Sequence, residues 1–277
     1  MWERLWGRKS GPENAETQGE ETQGQEVQGR AGLADPVYKE IALQLTSTAE
    51  NSTPDWTTAF AYIEDIDDGR GYTGGLVGWC SGTGDMLELV QAYTAAAPGN
   101  PLARYLPQLE QIMDAPDKKR PALSHRLLDP SFPADWQAAA EDPAFRRAQQ
   151  EERDRVYWGP ALEAAARDGV GPLGLAIYYD VSVNHGPGDD DESFGGILAT
   201  ARKAHRPPAE GGDEAAYLAA VVDARVAVLK SWGDYQKHGR QDIHKGLLEA
   251  GNLGLVPPFS WSVYGDRFEL SSAPAPR

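Results

Sequence analysis

The chain has 277 residues, of which 40% are hydrophobic and 25% are charged, so it is long enough for one large domain or two lobes around an ordinary core. Its 26 Lys and Arg against 42 Asp and Glu give a formal net charge of −16, which argues against nucleic acid, whose phosphates need a basic face. The acidic balance suits a cationic partner, and it is equally compatible with a role in solubility alone. No apolar run predicts a membrane span, and the one cysteine excludes an intramolecular disulfide and a cysteine-based zinc cage.

Residues 1–34 are predicted to be a disordered tail. Gln-Gly pairs recur every five residues in this segment, which is rich in Glu, Gln and Gly. Such a composition cannot bury enough apolar surface to offset the entropy of ordering. The first residues also lack the apolar stretch of a signal peptide. We therefore expect the folded domain to cover 35–277.

The folded part is predicted to be mostly helical. Apolar residues spaced by four, from Val37 to Ala49, predict a helix at about 35–50, with Asp35-Pro36 as its start. A second helical stretch is expected at 54–66, followed by a glycine-rich turn and an extended segment at 72–79. The remaining helical periods fall at 86–97, 101–113, 135–167, 171–184, 194–204, 213–232 and 241–250. The expected non-helical segments are loops at 114–134 and 185–193 and an extended stretch near 257–261. This is a mainly α chain with a little β at 62–80, without the βαβ alternation of a doubly wound sheet.

Two carboxylates are candidates for acid–base chemistry. Glu50 ends the first predicted helix, and Asp68 opens the glycine-rich turn. In a two-carboxylate glycosidase, one carboxyl keeps its proton in a dry setting and the other stays ionised in a solvated one. The residue types alone leave a second interpretation open, in which Glu50 is a solvated helix-terminal acid and Asp68 only forms a turn.

Other acidic residues surround this pair, and a calcium loop is the competing interpretation of Asp65 to Gly69. Counted from Asp65, however, the sixth and twelfth positions are Arg70 and Leu76, where a calcium loop has Gly and Glu. The five histidines show no ligand spacing, so no metal site is expected. The acidic loop at 189–192 is compatible with a simple solvated loop.

Cys80 offers a different chemistry. The segment 78–82, Gly-Trp-Cys-Ser-Gly, matches a nucleophile elbow, and Asp180 with His185 would complete a triad. The chain lacks the parallel-sheet alternation on which such an elbow sits, and a lone cysteine is more often a buried small hydrophobe. A third local feature, Asp154 between Arg153 and Arg155, fits either a carboxyl-orienting network or an ordinary surface network.

Longer motifs follow one another in order over about 35–270. They are Ala-Glu-Asn-Ser at 49–52, Tyr-Ile-Glu-Asp-Ile at 62–66, Asp-Gly-Arg-Gly-Tyr-Thr-Gly-Gly at 68–75, Cys-Ser-Gly-Thr-Gly-Asp-Met at 80–86, Glu-Arg-Asp-Arg-Val-Tyr at 152–157, Tyr-Tyr-Asp at 178–180, His-Gly-Pro-Gly at 185–188, Phe-Gly-Gly-Ile at 194–197 and Ala-Gly-Asn-Leu at 250–253. Together they closely resemble the chitosanases of glycoside hydrolase family 46, which cleave internal β-1,4 links of chitosan, a polymer of glucosamine, with inversion.

The resemblance implies an α+β, mainly α, lysozyme-like fold of two lobes, with a small β-sheet beside a substrate cleft. It implies that Glu50 is the general acid, that Asp68 is the base that activates a water, and that Thr73 helps to hold that water. Further site residues are expected in two groups. The substrate-binding group is Ser52, Arg70, Asp85, Tyr62 and His185, and the network behind the acid is Asp154, Arg206 and Arg225.

The resemblance also sets expectations for partners and location. Chitosan is a cation when its amines are protonated, so an acidic groove would concentrate it. Family members are usually exported, which implies an extracellular protein; we expect a monomer that binds neither nucleic acid nor membrane and uses no cofactor or metal. A non-catalytic chitosan-binding protein on the same scaffold is the alternative, and the presence of Glu50, Asp68 and Thr73 argues against it.

Overall fold

The computed structural model describes residues 32–277, which belong to two compact units. The terminal unit combines residues 32–54 with 157–277, and the inserted unit comprises residues 55–156. The predicted tail lies outside the described residues except for 32–34, where Leu33 is already buried. Within 32–277, no helix has both the length and the apolar character needed to cross a membrane.

The elements of residues 32–277 are mostly helices. The helices are α1 (Pro36–Asn51), α2 (Asp85–Ala96), α3 (Leu106–Met113), α4 (Arg120–Leu128), α5 (Phe132–Ala139), α6 (Pro143–Arg153), α7 (Gly159–Asp168), α8 (Pro172–His185), α9 (Phe194–Ala204), α10 (Glu214–Trp232) and α11 (Gln241–Glu249). The strands are β1 (Ile63–Asp65), β2 (Tyr72–Gly74), β3 (Trp79–Cys80), β4 (Phe259–Val263) and β5 (Asp266–Leu270). The prediction of a mainly α, α+β chain with a little β at 62–80 is confirmed.

The terminal unit is built around α8, which is buried at nearly every position and packs against α1 and α7. A helix that is apolar all round belongs inside a core. Helix α1 starts as predicted, because Asp35 accepts the N–H of Val37 and Pro36 occupies the first turn. The antiparallel β4–β5 hairpin packs near the C-terminal end of α1, where Trp261 Nε1 donates to Thr48 Oγ1 at 3.0 Å. These contacts hold the last turn of α1.

The inserted unit contains the antiparallel sheet β1-β2-β3, in which Thr73 lies opposite both Glu64 and Cys80. Its core is a chain of aromatic rings. Trp136 lies edge-on to Phe145 at 5.0 Å, and Phe145 lies 4.7 Å from Tyr93. This aromatic core brings α2, α5 and α6 together beside the sheet.

The predicted secondary structure was wrong for three segments. The expected helix at 54–66 is a short 3-10 helix (Trp56–Ala61) followed by β1, because pairing with β2 overrides the local helical period. The expected loop at 114–134 contains α4 and the start of α5. Its prolines do not break these helices, since Pro121 and Pro133 lie in first turns that need no N–H donor.

The expected long helix at 135–167 is interrupted twice. Helix α5 ends at Ala139, and Asp142 then caps α6 by accepting the N–H of Ala144 at 2.8 Å. A π-helical turn, Asp154–Trp158, separates α6 from α7. The extended stretch expected near 257–261 forms β4, and the second strand of that hairpin, β5, was not predicted.

Candidate active site

Glu50 lies in the last turn of α1, and its side chain is 41% exposed. Arg240, at the start of α11, donates from Nη2 to Glu50 Oε1. The Arg240 side chain is buried, so a group fixed inside the protein holds the exposed carboxylate of Glu50. Ser52 follows Glu50 closely in the chain and terminates α1 in a left-handed conformation with φ 54°.

Behind Arg240 lies a buried charge network centred on Asp180 of α8. Arg225 of α10 is fully buried and donates from Nη1 to Asp180 Oδ2 at 2.6 Å, while Arg240 Nη2 lies 3.6 Å from Asp180 Oδ1. Burial alone would raise the pKa of Asp180, but the positive charges of Arg240 and Arg225 hold it well below its ordinary value. Asp180 is therefore ionised and fixes both arginines.

Of the three residues predicted for this network, the structure places Arg225 in it. Arg206 lies on an exposed stretch after α9, and no contact within residues 32–277 joins it to Glu50 or Asp180. Asp154 lies in the inserted unit, where Arg153 donates to its Oδ1 at 2.8 and 3.0 Å. The roles of Asp180 and Arg240 were missed.

Two histidines lie close to the network. Burial, helped by the charges of Arg225 and Arg240, lowers the pKa of His185 to about 3, and burial lowers the pKa of His244 to about 4. His185 is fully buried, with Nδ1 3.2 Å from the carbonyl oxygen of Glu192. Since a fully buried imidazole cannot touch a polymer, the structure favours a structural role for His185 over the predicted substrate contact.

Asp68 lies in the turn between β1 and β2, and its side chain is 26% exposed. Its Oδ1 accepts the backbone N–H of Arg70 at 3.0 Å, and Arg70 Nε donates to Oδ2 at 2.7 Å. A second guanidinium nitrogen of Arg70 also contacts Oδ2. The arginine thus fixes the direction of the carboxylate through charge-assisted hydrogen bonds.

The end of this turn is held by a close backbone approach at Gly71. Its φ is +74°, and a Cβ at this position would lie 2.5 Å from Ser81 Oγ and 2.7 Å from Ser124 Oγ. Ser81 Oγ accepts the N–H of Tyr72 at 2.9 Å and donates to Ser124 Oγ at 2.9 Å. Only glycine therefore fits between β3 and α4 at this point.

Thr73 lies on β2, directly after the turn, and Asp85 is the first residue of α2. Thr73 is buried in β2, with Oγ1 3.3 Å from Cys80 Sγ. Asp85 Oδ1 accepts from Cys80 N at 2.9 Å, Thr83 Oγ1 at 2.6 Å and Met86 N at 3.0 Å. None of these bonds uses Oδ2. Burial raises the pKa of Asp85 despite these bonds, so a cationic ligand at Oδ2 would favour its charged form.

Tyr62 precedes β1 and exposes 41% of its surface. Partial burial raises the pKa of its phenol, and the negative charges of Glu64 and Asp68 add to this effect. The ring is therefore an exposed aromatic surface in the neighbourhood of Asp68. Such a surface can stack on an apolar sugar face, which suits the substrate-binding role expected for Tyr62.

The alternative chemistry at Cys80 has no support in the structure. Burial raises the pKa of the Cys80 thiol to about 11, and the thiol donates to the carbonyl oxygen of Gly78 at 3.2 Å. A protonated buried thiol is a poor nucleophile. Across residues 32–277, no group of three or more His, Cys, Asp or Glu side chains is arranged to hold a metal ion.

In the terminal unit Arg240 holds the exposed carboxylate of Glu50, and in the inserted unit Arg70 holds the carboxylate of Asp68. The inserted unit adds an exposed aromatic ring and a second carboxylate with a free oxygen. This set of side chains is compatible with a glycoside hydrolase, which uses two carboxylates as acid and base.

Comparison with known proteins supports the same class. Glycosyl hydrolase family 46 matches residues 44–259. The chain is 51% identical to a chitosanase of a Streptomyces species over 243 residues, which are 87% of this chain and 85% of that protein. A solved chitosanase complex has a TM-score of 0.79 at 47% identity and covers 86% of this chain and 99% of its own. A Gynuella sunshinyii chitosanase with chitotetraose has a TM-score of 0.74 at 35% identity, covering 84% and 97%.

The chain therefore belongs to glycosyl hydrolase family 46. The resemblance to the chitosanases of this family, predicted from the ordered motifs, is confirmed.

Proposed function

We propose that this glycosyl hydrolase is an endo-acting chitosanase that cleaves β-1,4 links of chitosan with inversion, with Glu50 as general acid and Asp68 as general base. The observation that carries the proposal is the pair of exposed carboxylates, each fixed by its own arginine, at the positions the family motifs predict. The relatives that match over most of the chain are themselves chitosanases.

In the proposed reaction, Glu50 donates its proton to the leaving glycosidic oxygen. Asp68 takes a proton from a water that attacks the anomeric carbon from the opposite face, so one bond breaks as the other forms. An inverting site needs the two carboxyls roughly 6.5–9.5 Å apart to leave room for that water. Thr73, which lies three residues after Arg70 in β2, is proposed to hold the water through its hydroxyl.

The arginines suit these two roles. Arg240 is held by Asp180, which also binds Arg225, and it contacts the Glu50 carboxyl directly, so the network fixes the direction of the Glu50 side chain. Arg70 holds the Asp68 carboxylate in a fixed direction, as a base that activates one water requires. The same two carboxylates argue against a protein that only binds chitosan.

The proposed substrate is recognised by charge. The net charge of −16 attracts a polycation, and Asp85 Oδ2 is proposed to accept a glucosamine ammonium group. Tyr62 is proposed to stack on a sugar ring. Because N-acetylated sugars carry no charge, chitin is expected to be a poor substrate. We further propose that the protein is extracellular, since a polymer of this kind is too large to enter a cell. It is proposed to be a monomer, with a catalytic domain that covers 35–277.

The first test is release of reducing ends from highly deacetylated chitosan, beside chitin, carboxymethyl-cellulose and peptidoglycan. Activity on chitosan is expected to fall by about 10²–10⁴-fold in Asp68→Asn, because the amide cannot accept a proton. Asp114→Asn is the matched control, since Asp114 is also an exposed aspartate of the inserted unit. It should retain nearly all activity.

Each outcome of this assay has a definite meaning. Activity on chitosan alone, lost only in Asp68→Asn, supports both the substrate and the base. Binding of chitosan without turnover by the unmodified protein would favour the binding-protein alternative. Turnover of peptidoglycan in preference to chitosan would overturn the proposed substrate.

A further inference from the structure

His125, on α4 in the inserted unit, lies between two carboxylates. Its Nε2 is 2.6 Å from Asp65 Oδ2, and its Nδ1 is 3.2 Å from Asp129 Oδ2. The hydroxyl of Tyr72 donates to the other oxygen of Asp129, and the Tyr72 ring lies 4.9 Å from the imidazole. A neutral imidazole has one N–H, so only the imidazolium donates to both carboxylates at once.

Asp65 connects this histidine to the turn that carries Asp68. Asp65 is the last residue of β1, and its two oxygens face different partners. Oδ2 faces His125, while Oδ1 accepts the backbone N–H of Asp67 at 2.8 Å. Asp67 has a φ of 56°, a conformation that a residue with a side chain adopts at some cost. The bond to Asp65 therefore helps to hold a strained residue directly before Asp68.

Helix α4 also holds the other end of the same turn. Ser124, next to His125, accepts from Ser81 Oγ at 2.9 Å and lies where a Cβ on Gly71 would be. Ser124 Oγ in turn donates to the carbonyl oxygen of Arg120 at 2.9 Å. Helix α4 thus fixes both ends of the turn at 66–71. His125 acts at the start of the turn, and Ser124 acts at the end of the turn.

We propose that His125, as an imidazolium, is a positioning residue for Asp68: it ties Asp65 to α4 and so holds the turn in the arrangement in which Asp68 acts as base. This inference rests on the proposed role of Asp68. His125 does not touch substrate in this account. It acts only through Asp65 and the backbone of Asp67.

The pH dependence of the His125–Asp65 hydrogen bond follows from the groups that face His125. These groups are Asp65 from β1, Asp129 beyond the end of α4, and the phenol of Tyr72 from β2. The hydrogen bond to Asp65 raises the pKa of His125, and partial burial opposes it to a smaller extent. Below about pH 6.5, the ordinary pKa of histidine, the imidazolium and its hydrogen bonds are fully present. They are lost as the pH rises through the raised pKa.

The test compares His125→Gln with the unmodified protein on a soluble glucosamine oligomer from acid to alkaline pH. Glutamine keeps one N–H donor and removes the charge. The quantity compared is the kcat of the variant divided by the kcat of the unmodified protein at the same pH. Because both proteins act on the same substrate, this ratio cancels the titration of the substrate amines. We expect kcat to be about ten-fold lower near pH 5, with KM little changed, and the ratio to approach one at alkaline pH, where the unmodified protein has also lost the charge.

Two further variants sharpen the result. His205→Gln removes an exposed histidine of the terminal unit and should give a ratio of one throughout. Asp65→Asn should reproduce the pH-dependent loss, and it should lower the pKa of His125 when the imidazole protons are followed by NMR. If His125→Gln fails to fold, as judged by circular dichroism, Asp65→Asn and the NMR titration decide the question.

A ratio that is the same at every pH, or a His125 pKa unchanged by Asp65→Asn, would overturn the inference. Asp68→Asn, assayed in parallel, separates this from a failure of the proposed function. If Asp68→Asn is inactive and the ratio is flat, only the positioning role is wrong. If Asp68→Asn retains turnover, the base is misassigned and the positioning role falls with it.

Discussion

Replacing Glu50 by Gln is expected to lower kcat on chitosan by about 10³-fold, because the amide has no proton to give to the leaving oxygen. The glutamine keeps the size of the side chain and an oxygen that can accept from Arg240. Binding of a glucosamine oligomer, measured by calorimetry, should therefore remain close to that of the unmodified protein. The expected result is a loss in kcat with little change in affinity.

A matched control for this variant is Glu249→Gln. Glu249 is also an exposed glutamate in the last turn of a helix, α11, in the same unit. It should leave kcat unchanged. Turnover by Glu50→Gln above about a tenth of the normal rate would contradict the assignment of Glu50 as general acid.

Replacing Arg225 by Met is expected to lower the free energy of unfolding by about 3–5 kcal/mol, because the variant leaves the buried charge of Asp180 without its main hydrogen-bonded partner. The loss should also depend on pH. In the unmodified protein, the contribution of Asp180 is present above the ordinary aspartate pKa of about 4 and is lost only as the pH falls through its lowered value. In the variant, the pKa of Asp180 rises, and this contribution is lost at higher pH.

Urea unfolding at several pH values measures this effect. Lys245→Met is the control, because Lys245 and Asp223 form an exposed pair at 3.5 Å in the same unit and should contribute less than about 1 kcal/mol. The double variant Arg225→Met with Asp180→Leu should recover part of the loss, since neither charge then remains buried alone. A single variant as stable as the Lys245→Met control would show that the network does not hold the unit together.

The sequence was most informative where the determinants are local. Helix α1 was predicted from an apolar period and a capped start, both of which lie within 35–50. The turn at Asp68 was predicted from its glycines, and the structure shows why one of them, Gly71, is needed there. The identity of the family followed from motifs that keep their order along the chain.

The errors arose where distant residues decide the structure. Arg240 contacts Glu50 across 190 positions of sequence, and nothing in its local sequence distinguishes it from Arg206. The network centred on Asp180 could be placed only when α8, α10 and α11 were seen to meet. The segment 114–134 contains four prolines and was predicted to be a loop, yet its helix α4 supports the turn that carries Asp68.

The most direct test of an inverting reaction at Glu50 and Asp68 is the anomeric form of the first products. A glucosamine oligomer is mixed with the protein, and the anomeric protons of the new reducing ends are followed by ¹H NMR before mutarotation. Inversion at a β-1,4 link predicts that the α-anomer accumulates first. Initial accumulation of the β-anomer would mean retention, and it would contradict the roles proposed for the two carboxylates.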